Sequence, residues 1–223
     1  MTRRENDNYT TNLGLARWAV KHAAKMALFK PGEGRMLEPC CGDDAPFATA
    51  AKEIGMEPFG FDIRDVKPKL WEGTEGFGNG GACCTQIDIT KYDPKAVLYD
   101  VIATNPPFTI GEEVVRKSLD MLEPHGAAVF LVKMAFLGTQ ARSKLFRERP
   151  PAEVWILTAR PSFTGDGNTD IAQEYAFVFW NGAHTDALID SIRMRTTKLY
   201  WLNSKLHMTS LDKPRVRIEK GGS

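Results

Sequence analysis

The sequence predicts an α/β fold with seven strands in a mostly parallel sheet and alternating helices. Three observations carry this. Short apolar runs alternate with longer amphipathic stretches along the chain, which is the order of a parallel sheet with helical crossovers. The first run leads through a tight glycine turn into a helix, and the second ends in an acid 20 positions after that glycine, the spacing of a nucleotide-binding βα unit. Finally, the last two runs, 154–157 and 175–180, bring the number of strands to seven and are joined by a polar loop over 159–170.

The elements follow in order. An amphipathic helix over 13–29 starts after Asn12, whose side chain can cap it. The first strand, around Met36, ends at Glu38-Pro39. Gly42 gives the following turn its backbone freedom, Asp43 or Asp44 can cap the next helix, and Pro46 fits its first turn, so a helix is expected over 47–54. The second strand, 58–63, ends in Asp62-Ile63. Residues 71–81 are too rich in glycine for a stable helix and are read as a loop. A third strand lies in the 84–90 run with Asp88 near its end. The fourth, 98–103, must stop at Asn105, because Pro106 and Pro107 cannot donate a ladder hydrogen bond and each fixes its own backbone torsion. A helix over 111–122, a strand over 127–132, a helix over 140–148, the two closing strands and a helix over 185–195 complete the pattern.

Asn105-Pro106-Pro107-Phe108 is the most informative of these segments. In so rigid a turn the Asn105 side-chain oxygen and a nearby main-chain carbonyl can converge, while Phe108 offers a flat apolar face beside them. Two acceptors can take both hydrogens of an exocyclic amine, and an aromatic face can stack on the ring that carries it. The 38–47 loop adds a constraint of its own: with aspartates at 43 and 44 it would repel a pyrophosphate, so a dinucleotide is a poor match.

These residues resemble those of class I S-adenosylmethionine-dependent amino-group methyltransferases, and in particular the small phage and prophage adenine-N6 DNA enzymes. The 105–108 segment matches their Asp/Asn/Ser-Pro-Pro-Tyr/Phe/Trp motif. Glu38, Pro39 and Gly42 match their Asp/Glu-Pro-x-x-Gly-x-Gly loop, with Asp44 standing where a second glycine is usual. The resemblance covers roughly residues 8–181 and implies a Rossmann-like class I methyltransferase fold, a seven-stranded mostly parallel sheet with an antiparallel closing strand and helices on both faces, with a catalytic domain over 1–183. A C-terminal helix and basic tail, 184–223, would pack on or extend from that domain. It implies S-adenosylmethionine as cofactor, with Glu38 or Asp43 meeting its amino acid end, Asp62 its ribose, Ile63 and Asp88 its adenine, and Tyr9 and Thr11 its methionine portion. Asn105, Pro106, Pro107 and Phe108 would be catalytic. Arg160 and Phe163, in an Arg-Pro-x-Phe segment, would bind the substrate, and the expected reaction is methylation of the N6 amine of adenine in DNA. An RNA base amine or a protein glutamine amide would also suit the motif, and a cofactor-binding module without turnover is a third reading.

Composition sets the remaining bounds. A chain of 223 residues with 43% hydrophobic and 26% charged residues suits one compact soluble domain. With a formal net charge of +1 there is no global basic field, so any nucleic-acid contact must be local. The 193–220 stretch, basic and containing Tyr200 and Trp201, is one candidate for it. So little sequence lies outside the core that target recognition is expected to be minimal or to involve a recognition partner or homodimer. No apolar run reaches membrane-spanning length and the first residues are too polar for a secretory signal, which places the expected location in the cytoplasm of a bacterial or phage-infected cell. Cysteines fall as two adjacent pairs, Cys40-Cys41 and Cys83-Cys84. Neighbours in a strand point to opposite faces and chelate poorly, so no metal is expected and the thiols read as free, with Cys40 or Cys41 the expected site of alkylation.

Overall fold

A computed structural model describes residues 10–29, 33–72, 83–93, 97–161, 173–182 and 196–208. The strands are β1 (Arg35–Glu38), β2 (Glu57–Asp62), β3 (Cys84–Gln86), β4 (Tyr99–Thr104), β5 (Leu122–Lys133), β6 (Glu153–Leu157), β7 (Tyr175–Asn181) and β8 (Lys198–Leu202). They form one sheet in the order β3-β2-β1-β4-β5-β7-β6-β8. From β3 to β5 every pairing is parallel, and β7 runs antiparallel to both β5 and β6. This is the expected fold class with one addition. Among the described residues there is an eighth strand, β8, which pairs in parallel with β6.

That strand lies inside the 193–220 stretch, where the sequence reading placed no strand. Residues 198–202 carry one charged side chain, two leucines and two aromatics, and Tyr200 stacks on Trp155 of β6 with ring centroids 4.2 Å apart. Aromatic pairs of this kind stabilise neighbouring strands by up to about 1 kcal/mol. Lys198 and Trp201 are exposed on the edge of the sheet. The helix expected over 185–195 lies outside the described residues.

Strand residues alternate between two apolar layers, as they must in a sheet covered on both faces. Val101, Ala103, Val129 and Leu131 point to the side of α1 (Leu13–Met26) and α2 (Pro46–Glu53). Ile102, Ala128, Phe130 and Val178 point to the side of α3 (Gly111–Asp120) and α4 (Ser143–Glu148). Asn12 caps α1 as expected, its side-chain oxygen accepting from the amides of Gly14 and Leu15. The cap of α2 differs from expectation. Neither Asp43 nor Asp44 caps it; the helix starts at Ala45 in the left-handed conformation (φ 41°), with Pro46 at the first helical position. Both aspartates are engaged elsewhere, Asp43 with Arg64 and Asp44 with Thr10.

Strand order reverses between β1 and β4, which lie side by side and send their crossovers in opposite directions. The carboxyl ends of strands at such a switch point diverge and leave a crevice, the usual ligand position in an open α/β sheet. Glu38, Asp62 and Asn105 all sit at or just beyond the carboxyl ends of their strands.

Candidate active site

A cavity of about 290 Å³ occupies that crevice, close to the lower end of the range for small-molecule sites, roughly 300–1,000 Å³. It brings together most of the residues singled out from the sequence: Thr11, Glu38, Pro39, Gly42, Asp62, Ile63, Asp88, Asn105 and Pro107 all line it. These come from the start of α1, the β1–α2 loop, the ends of β2 and β3, and the turn after β4, segments separated by up to about 95 residues that only the strand order makes neighbours.

Two hydrogen bonds fix its floor. Gly42, with φ 62°, turns its amide toward Asp62 and donates to Oδ2 at 2.9 Å, while the Cys41 amide donates to the Phe61 carbonyl at 2.9 Å. The carboxylate of Asp62, almost fully buried, also accepts from the Arg64 amide at 2.9 Å and from Arg64 Nε at 3.0 Å. Arg64 was not anticipated from sequence. Its only signal was its position two residues after Asp62, close enough for its guanidinium to fold back on the strand-end carboxylate. A ribose placed on Asp62 would share that carboxylate with Arg64 or displace its guanidinium. Ile63, next to Asp62, is 57% exposed and gives the cavity an apolar edge suited to a flat ring.

Glu38 is wholly buried, with Oε2 accepting from the Ala48 amide at 2.8 Å. Burial raises its carboxyl well above the ordinary range, and the amides of Ala48 and Phe47 only partly offset this. A cation beside it would restore the ionised form. Asp88 behaves oppositely. Hydrogen bonds from the Thr90 hydroxyl and from Lys91 hold its carboxyl below the usual range, and Thr90 donates both amide and hydroxyl to its Oδ1. Thr11, 2% exposed, leaves its hydroxyl oxygen buried without a hydrogen-bond partner at the wall of the cavity. Around one chamber stand the acidic side chains of Glu38, whose burial favours the protonated form, Asp44, Asp62 and Asp88, the last paired with Lys91 at 3.0 Å, together with the guanidinium of Arg64. That balance favours a cationic ligand and disfavours a phosphate.

Other expected residues lie elsewhere. Asp43 is not part of the lining; its exposed carboxylate pairs with Arg64 at 3.2 Å. Asp44, the departure from the two-glycine pattern, lines the mouth and accepts a 2.9 Å hydrogen bond from Thr10. Pro106 and Phe108 are not in its lining and instead line a second, smaller cavity. Arg160 is exposed and forms a 2.9 Å ion pair with Glu174, apart from both cavities. Tyr9 and Phe163 lie outside the described residues. Cys41 Sγ contacts Cys84 Sγ at 3.5 Å, all four cysteines are free, and no group of acids, histidines and cysteines among the described residues could hold a metal. No helix among the described residues is long and apolar enough to cross a membrane.

The fold is that of class I methyltransferases. A class I S-adenosylmethionine-dependent methyltransferase from Listeria monocytogenes superposes with a TM-score of 0.59 at 13% identity, covering 89% of this chain and 67% of its own. An RNA methyltransferase from Pyrococcus horikoshii superposes at 0.56 with 12% identity, covering 78% and 87%. The M protein of the type I restriction enzyme EcoKI superposes at 0.52 with 14% identity, covering 78% of this chain and 44% of its own. No sequence-family model and no curated protein matches the chain.

Proposed function

We propose that this protein transfers a methyl group from S-adenosylmethionine to the exocyclic N6 amine of adenine in DNA. The observation that carries the reading is the placement of Asn105 and Pro107 on the wall of the acid-lined cavity, where the turn after β4 meets the Glu38, Gly42 and Asp62 cluster. The residues present fit this cofactor. Asp62 would hold its ribose, Ile63 would flank its adenine, and Glu38 and the buried Thr11 hydroxyl would meet its amino acid end. When bound, the cofactor supplies an electrophilic methyl group on a sulfonium.

This chain's own residues handle the acceptor. A ring amine is a poor nucleophile because its lone pair is delocalised into the ring. Asn105 Oδ1, which is buried, and the Pro106 carbonyl would accept the two amine hydrogens and localise that lone pair. The consecutive prolines fix the direction of both acceptors, so little reorganisation is needed as charge develops on nitrogen. Phe108 would hold the ring in plane. No strong general base is required, since nitrogen loses its proton readily once it has gained positive charge, and rate would come from orientation and fixed dipoles. A base within a duplex would have to leave the stack to reach the turn, at a cost of a few kcal/mol that single-stranded DNA avoids.

Transfer of labelled methyl to duplex DNA, single-stranded DNA and total RNA, with nucleoside analysis of the product, tests this. Expected is label in N6-methyl-2′-deoxyadenosine from DNA, reduced about 10²–10³-fold by Asn105→Ala, the size of loss seen when one preorganised polar group is removed from a reacting centre. Label in RNA alone would move the acceptor to RNA. Cofactor binding without transfer to any nucleic acid would leave a protein amide or a non-catalytic module.

A further inference from the structure

Among the described residues β8 is the edge strand of the sheet, beside β6. The Lys198 amide donates to the Ala152 carbonyl at 3.0 Å, and the Leu202 carbonyl accepts from the Thr158 amide at 3.0 Å, so residues 198, 200 and 202 turn their main-chain groups toward β6. By the alternation of a strand, the N–H and C=O groups of Leu199 and Trp201 turn the other way, off the edge. The same two residues carry exposed apolar side chains, Leu199 at 52% and Trp201 at 64%. Both lie on the face opposite Leu202, which is buried in the layer of α1 and α2. Their β6 partners are Val154 and Ile156, which belong to the layer of α3 and α4. An edge is usually blunted by charge, a bulge or proline, whereas residues 198–202 hold a single charge, Lys198, at their start.

We infer that β8 pairs with β8 of a second copy of this chain, antiparallel about a two-fold axis at Tyr200, so that one sheet runs through both copies. A two-fold contact places the same patch of each copy against itself, and β8 is self-complementary in this register. Leu199 of each copy stands opposite Trp201 of the other, and each of these two pairs exchanges two main-chain hydrogen bonds. The Val154–Leu199 and Ile156–Trp201 rows then meet across the axis, and the apolar layer of α3 and α4 continues from one copy into the next. On the other face the two Tyr200 side chains meet in the close, non-hydrogen-bonded position, and each Lys198 faces Leu202 of the other copy, so no like charges stand opposite. A nucleic acid stacked on Trp201 would leave the outward main-chain groups unpaired and would meet one cation in the strand, which is why a second copy is the better occupant. Five residues a side bury less than about 1,200 Å², the size of a reversible contact, with a dissociation constant on the order of 10 µM. Since β8 runs parallel to β5, the two acidic cavities open at opposite edges of the joined sheet, and the contact is independent of the acceptor proposed above.

Sedimentation equilibrium of the full chain from about 2 to 200 µM tests this, with Leu199→Lys and Trp201→Glu measured alone and as an equimolar mixture. The wild-type mean mass should rise from one copy toward two. Each variant alone should self-associate at least about 10-fold more weakly, with an unchanged thermal unfolding temperature, because a charge replaces one apolar partner of both pairs. The mixture should regain association, since only this register sets the lysine introduced at 199 of one chain against the glutamate introduced at 201 of the other while the remaining Leu–Trp pair stays intact. Deuterium exchange of the wild-type amides reads the same contact without substitution and serves if a variant does not fold: protection at Leu199 and Trp201 should grow on the order of 5-fold from dilute to concentrated protein, and that of Tyr200, already bonded to β6, should not. A wild-type chain that sediments as one copy throughout, or a dimer that neither substitution weakens, would overturn the inference. Loss of DNA affinity in Trp201→Glu, in a chain that never self-associates, would also overturn it and assign the edge to nucleic acid.

Discussion

Glu38 gives the site a signature that can be read without any turnover. Its carboxyl is wholly buried and raised well above the usual range, whereas in the unfolded chain it titrates near pH 4.3. Between those two values the folded protein holds one more proton than the unfolded chain. Stability then falls as pH rises, by about 1.4 kcal/mol for each unit inside the window, and the loss ends only above the folded-state value. Glu38→Gln removes the titration and can keep the 2.8 Å acceptor for the Ala48 amide, because a carboxamide oxygen occupies the same position. Urea unfolding of both proteins at pH 5, 6 and 7 without cofactor should therefore give a difference that moves in favour of the variant as pH rises toward the folded-state value. Subtracting the two profiles cancels the other titrating groups. Adding S-adenosylmethionine should flatten the wild-type profile, since an ammonium beside Glu38 restores the charged form. A difference that stays constant within about 0.5 kcal/mol across the range would refute the assignment of a buried, protonated Glu38.

Two further expectations concern the loop and strands around it. A Cβ on Gly60 would come within 2.6 Å of Trp71 Cη2 and 3.1 Å of Cys41 Sγ, so Gly60→Ala should cost about 1–3 kcal/mol in urea unfolding, and Trp71→Leu in the same chain should recover part of it; two additive losses would contradict the packing. Among the thiols, the hydrogen bond from Cys41 lowers the Cys84 value, whereas burial pushes Cys40 up and the same sulfur pair together with burial pushes Cys41 up. Iodoacetamide at pH 8 followed by peptide mass mapping should label Cys84 before either. Faster labelling of Cys41 would invert the assignment of the shared proton.

That expected order differs from the one read from sequence, and the reason applies to the site as a whole. Strand-end position made Cys40 and Cys41 look accessible, but whether a thiol is acidic depends on which groups the fold brings against it, and Cys84 lies 43 residues away from Cys41. Local signals were legible wherever one short segment sufficed to produce them. The Asn12 cap, the Gly42 turn, Pro46 at the start of α2 and the forced stop of β4 before Pro106 each follow from the torsional limits of one or two residues. The αL start at Ala45 was not legible, because both aspartates that could have capped the helix are held by Thr10 and Arg64, partners set by tertiary contact. Strand β8 was hidden for a similar reason. Its residues are mostly exposed and charged or aromatic, so hydropathy marks no core strand, and it is held by pairing with β6 and the stacking of Tyr200 on Trp155.

By itself the sequence determined the alternating α/β order, the ends of the strands that carry Glu38, Asp62 and Asn105, and the types of group those ends present, because hydrophobic period, glycine and proline act over a few residues. Only the tertiary structure decided that these ends share one acidic chamber and that Arg64 folds back on Asp62. Those relations depend on the β3-β2-β1-β4-β5 strand order, which converges residues far apart in the chain and is written in no single segment of it.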